Sequence, residues 1–136
     1  GYVYLHQDFG TDDVVTVELN MPVQKVYTSS RVSANTGRTA VQRGPLIYCA
    51  EGVDNENDIL SLSLKRNGEV TVSEYLPEKL CGIQEIYAQG YRETVREELY
   101  SCNAPETESC QVTLVPYYTW GNRGLNQMRV WIPERD

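Results

Sequence analysis

A glycine followed by a proline, set inside the most apolar stretch of the chain, limits what that stretch can become. Between Ala40 and Asn55, Val41 lies ahead of the break and Leu46-Ile47-Tyr48-Cys49 behind it, the second run being apolar enough for a strand covered on both faces. Gly44-Pro45 separates them. Proline supplies no N–H to a β-ladder and glycine tolerates bulge geometry. Two readings follow: one long strand that bends as it changes partners, or a strand, a turn and a second strand. Both put β-structure at the centre of the chain.

The flanking segments are punctuated in the same way. Val14 to Leu19 alternates apolar and polar residues behind a turn at Asp12-Asp13, as a strand with one wetter side does. Met21-Pro22-Val23 interrupts the ladder, extended chain resumes from Val23 to Tyr27, and Ser29 to Arg38 is a connecting loop. Glu51 to Asp58 is acidic and invites comparison with a calcium loop. It lacks the regular ligand spacing and closing bidentate glutamate, so a solvated turn is expected. Leu60, Leu62 and Leu64 alternate, as do Val70 and Val72. A three-residue Arg66-Asn67-Gly68 loop would set Leu64 opposite Val70 and Leu62 opposite Val72, with Gly68 left-handed.

Leu76 to Leu80 reads as a turn, Ile83 to Tyr87 as a strand, and Thr94 to Tyr100 as the only passable helix, too short to stand alone. Gln111 to Val115 and Met128 to Ile132 are strong strands joined by the aromatic and glycine-rich stretch Pro116 to Asn126. Eight or so short strands with at most one short helix predict an all-β, antiparallel, jelly-roll-like β-sandwich, one domain over residues 1–136.

The formal net charge is -7, with 12 Lys and Arg against 19 Asp and Glu and no basic cluster, which argues against nucleic acid as a partner. No apolar run approaches the ~18 residues a spanning helix needs. The chain opens on strand-like Tyr2-Val3-Tyr4-Leu5 without an initiator methionine and reads as a piece of a longer protein. Cys49, Cys81, Cys102 and Cys110 show no Cys-x-x-Cys spacing and stand far from the single His6, so no metal site is expected here. Cys49 sits in the apolar run as a small core residue. Cys102 and Cys110 flank a polar loop and could close a small disulfide in an oxidising compartment.

No catalytic constellation emerges. Glu18, Glu51, Glu69 and Glu85 lie at strand positions or strand ends without a linked His, Cys or Arg, and are expected as solvated surface groups. Tyr117, Tyr118, Trp120 and Trp131 are more informative, because aromatic faces stack on sugar rings and Asn122 and Arg123 could bond hydroxyls. The same residues suit packing in the core or at an interface with another domain. The interface is preferred, since Tyr117 and Tyr118 would face opposite ways if they continued the strand.

An ordered set of segments resembles the C-terminal, non-catalytic region of glycoside hydrolase family 127, the bacterial β-L-arabinofuranosidases. The set comprises Gly1-Tyr2, Gly10 to Val15, Met21-Pro22-Val23, Gln42 to Cys49 with Glu51 and Val53-Asp54-Asn55, Pro116-Tyr117-Tyr118 with Trp120, Asn122-Arg123-Gly124, and Met128 to Pro133. Ile59 to Glu108 follows the pattern loosely. The resemblance implies a bacterial parent, cytoplasmic or periplasmic, that removes terminal β-L-arabinofuranosyl groups. It also implies a helical-barrel catalytic domain outside this chain, holding a cysteine-coordinated zinc whose ligands match none of the four cysteines here. The expected partner is that catalytic domain, with a homodimer left open. An autonomous carbohydrate-binding module is the alternative, and an enzyme complete in itself the third.

Overall fold

The computed structural model describes residues 2–136. Nine strands form among them: β1 (Val23–Tyr27), β2 (Arg38–Arg43), β3 (Leu46–Glu51), β4 (Leu62–Lys65), β5 (Val70–Val72), β6 (Ile86–Glu93), β7 (Thr107–Pro116), β8 (Met128–Arg129) and β9 (Ile132–Arg135). Single 3-10 turns lie at Ser33–Asn35, Gly52–Asp54 and Tyr117–Thr119.

The expected sandwich is not what forms. Hydrogen-bonded neighbours run β2-β9-β4-β6-β7-β3, and β3 returns to β2, closing a six-stranded barrel to which β1, β5 and β8 are attached. A sandwich keeps two sheets with free edges, whereas here β9 enters between β2 and β4 and removes those edges. It pairs antiparallel with β2, through Thr39 opposite Ile132, and parallel with β4, through Leu64 opposite Glu134.

Of the two readings at Gly44-Pro45, the turn is the one formed. Val41 pairs with Tyr48 and Arg43 with Leu46, leaving a two-residue loop. Gly44 has φ +55° and the proline ring holds the next φ negative, which is the type II′ pattern favoured between twisted strands. β3 is covered on both faces. Tyr48 and Ala50 join the barrel core with Val41, Leu62, Leu64, Ile86, Val112, Leu114 and Ile132. Cys49 packs on the other side against Ile83 and Val115 under Leu80, Met128 and Val130.

Four local expectations fail, the first at Met128 to Ile132, which divides between β8 and β9 rather than forming one strand. Val14 to Leu19 forms no strand: residues 2–19 run exposed along the outside with no ladder partner. Thr94 to Tyr100 forms no helix, and Val95 and Leu99 find no face to bury against. Leu60 to Lys65 and Val70 to Ser73 do not pair with each other. β4 and β5 instead lie in succession along β6, with Leu64 opposite Gly90 and Val70 opposite Ala88, so residues 66–69 loop out of one interrupted strand. Gly68 is not left-handed, but a Cβ there would lie 2.9 Å from Lys65 Cβ and 3.0 Å from Gln89 Cβ. Its role is close approach.

Candidate functional site: an aromatic loop clamped by a buried ion cluster

β7 ends at Pro116, and the chain turns at once through Tyr117–Thr119 into the loop that leads to β8. Thr119 is buried and its hydroxyl donates to the Pro116 carbonyl at 2.7 Å, fixing the turn. The Asn122 side-chain amide donates to the Thr119 carbonyl at 3.0 Å. From the other side, the Gly52 amide donates to the Gln127 carbonyl at 2.9 Å and to Asn126 Oδ1 at 3.1 Å. The loop is thus tied to its own base and to the end of β3.

The strongest tie is ionic. Glu51 ends β3 with no solvent exposure, accepting the Gly121 amide at 2.9 Å and Arg123 Nε at 3.1 Å. Arg123 Nη2 also pairs with both Glu51 and Asp54, and Nη1 donates to Asp54 Oδ1 at 2.7 Å. Lys79 extends the cluster, donating to Asp54 at 3.0 Å and to Glu85 at 2.5 Å, while the Tyr87 hydroxyl donates to Glu85 at 2.9 Å. Burial alone would raise the Asp54 carboxyl, but the Arg123 and Lys79 hydrogen bonds hold it below its ordinary value.

Two expectations are corrected here. Glu51 and Glu85 are buried cluster members rather than solvated surface groups, and the turn from Glu51 is solvated only at Val53, Glu56 and Asn57. Asn55 is buried as well, donating to the Glu51 and Thr113 carbonyls and accepting the Thr113 amide. The missed signal was Arg123, whose sequence neighbours gave no hint that it would face Glu51.

The aromatic residues do not converge. Tyr117, Tyr118 and Trp120 are all substantially exposed. Tyr117 lines a shallow groove of about 560 Å³ with Trp131 and Met128, whereas Tyr118 and Trp120 lie outside it. The strand-continuation reason for opposed tyrosines does not apply, since both sit in a 3-10 turn. Arg123, expected to contact a ligand or another domain, is engaged within the cluster, and the Asn122 amide bonds the turn. Tyr118, Trp120 and the Tyr117 groove remain free to meet something outside.

The cysteines stay apart. Cys102 and Cys110 are both free, so the small disulfide is not formed. Burial, with a smaller contribution from Glu51, pushes the Cys49 thiol up to about 12, which leaves it a core residue without nucleophilic character. Among the described residues no three His, Cys, Asp or Glu side chains come together as metal ligands.

A family profile described as the glycoside hydrolase family 127 C-terminal domain matches residues 23–133. A non-reducing end β-L-arabinofuranosidase of Bifidobacterium longum subsp. longum is 36% identical over 96% of the chain, which spans only 21% of that protein. A crystal structure of a family 127 β-L-arabinofuranosidase from Geobacillus stearothermophilus T6 superposes with a TM-score of 0.79 at 36% identity, covering 85% of this chain and 18% of the other. A second solved family 127 β-arabinofuranosidase gives 0.75 at 34% identity, covering 85% and 17%.

Proposed function

The chain belongs to glycoside hydrolase family 127, as its C-terminal domain, and from that premise we propose that it is a non-catalytic module buttressing the catalytic part of a larger enzyme. The observation that carries this reading is the segment 2–19. Tyr2, Val3, Tyr4, Val14, Val17 and Leu19 are each more than 70% exposed, an amount of apolar surface that an isolated domain does not keep without a partner. Tyr118 and Trp120 add exposed aromatics of the kind that anchor interfaces. We extend the relatives' activity to the whole protein: release of terminal β-L-arabinofuranosyl groups by a helical-barrel domain outside this chain, with any zinc held there.

In the full-length enzyme, Trp120→Ala should lower the thermal midpoint or loosen domain packing while leaving KM nearly unchanged. The domain alone should neither turn over a chromogenic arabinofuranoside nor give a saturable fluorescence response to arabinose-containing sugars. A saturable response abolished by Trp120→Ala would make it a carbohydrate-binding module instead. If the loop joined two copies, Trp120→Ala would convert a full-length dimer to monomer in sedimentation with domain packing unchanged.

A further inference from the structure

The Tyr117 groove carries a charge imbalance that this chain does not resolve. Its lining includes Asn35, Arg38, Tyr117, Met128, Arg129 and Trp131. Arg38 opens β2 and Arg129 closes β8, and the segment between β8 and β9 places Trp131 beside them. Among the described residues, ion pairs engage Lys25, Arg66, Lys79, Arg92, Arg123 and Arg135, but neither Arg38 nor Arg129. Arg129 Nη1 is buried and has no hydrogen-bond partner. Burial first, and then the positive charge of Arg38, push the Arg129 guanidinium below its ordinary value. A buried guanidinium N–H without an acceptor costs several times what an ordinary hydrogen bond contributes. Arg38 places a second cation without an ion pair in the same lining, in a chain of net charge -7.

Given this composition, we infer that the groove is a docking site for an Asp or Glu carboxylate, carried by a segment of the same polypeptide outside residues 1–136 and flanked by an apolar side chain. Guanidinium donors are matched bidentately by a carboxylate, and Trp131, Tyr117 and Met128 offer an apolar rim that excludes water from the pair. Tryptophan, tyrosine and arginine are also the residues that dominate interface energetics. The inference rests on the reading of the chain as a docked module and adds the chemistry of what docks.

The test uses the full-length protein. Hydroxyl-radical footprinting, with the 92% exposed Tyr100 as reference, should show Tyr117, Met128 and Trp131 oxidised well below what their intrinsic reactivity and their partial exposure in this domain give. In the R129K variant, a carbodiimide should couple the substituted amine to one Asp or Glu outside residues 1–136 of the same chain, and R129M should lose that product. R38K supplies a second amine should R129K fail to fold. A shielded groove with no such coupling in either lysine variant overturns the carboxylate but leaves the docked module standing. A groove as reactive as that partial exposure gives overturns docking at this face and the carboxylate with it. Coupling to a second copy, seen as a doubled mass on a denaturing gel, also overturns the inference, because the occupant would then be another molecule.

Discussion

Glu51 shows how far the meaning of a side chain depends on what folds against it. In sequence it is an acidic residue at the end of an apolar run. In the fold, Arg123 arrives from 72 residues away and the carboxylate loses all contact with solvent. Removing one partner of a buried pair strands the other, so Arg123→Met should destabilise the isolated domain by about 3 kcal/mol in urea unfolding. Adding Glu51→Leu should restore part of that loss, since the stranded charge is then gone. Protons probe this cluster and the separate ion pairs of Glu134. Asp54 has a depressed folded value against an ordinary 3.8, and Glu134, whose burial is outweighed by hydrogen bonds from Lys25 and Tyr27, is depressed against 4.5. Each therefore contributes stability that is full above its ordinary value and lost as pH falls through the folded one. Arg123→Met removes the main support of Asp54, so the variant's deficit in urea unfolding should be full at neutral pH and should narrow as pH falls below 3.8. Cys49 needed no such partner. Its place in a continuous apolar run was enough to identify a core thiol.

At the level of elements, periodicity identified most strands and partnership decided the rest. The run on either side of Gly44-Pro45 became β2 and β3, because a glycine with positive φ and a ring-fixed proline suit a two-residue hairpin turn. The alternation in Leu60 to Lys65 and Val70 to Val72 was equally legible, but its meaning was not. Two apolar strands around Asn67-Gly68 look like a hairpin, yet both found a better partner in β6, whose eight residues offer one long edge to each in turn. Gly68 is consequently needed for closeness. Gly68→Ala should cost about 1 kcal/mol or more, because Lys65 and Gln89 stand where its Cβ would go. A denaturation midpoint equal to that of the unmodified domain would contradict this packing.

Across the whole molecule, the barrel and the arm that precedes it divide the stabilising work unequally. Residues 2–19 bury little against the barrel, so an isolated domain lacking residues 1–19 should keep its unfolding free energy within about 0.5 kcal/mol. Backbone amides of the same residues should exchange quickly in the isolated chain and slowly in the full-length protein, where the docked-module reading gives them a partner. From the amino-acid order alone came the all-β class, most strand positions, the turn residues, the buried Cys49 and the family, because these rest on short-range periodicity, backbone limits of glycine and proline, and ordered local segments. Barrel closure, the parallel pairing of β9 with β4, the Glu51–Arg123 cluster and the gathering of Arg38 and Arg129 in one groove were decided by tertiary structure. Each joins residues far apart in the chain, and which edge or charge meets which depends on every other strand finding its place in the ring.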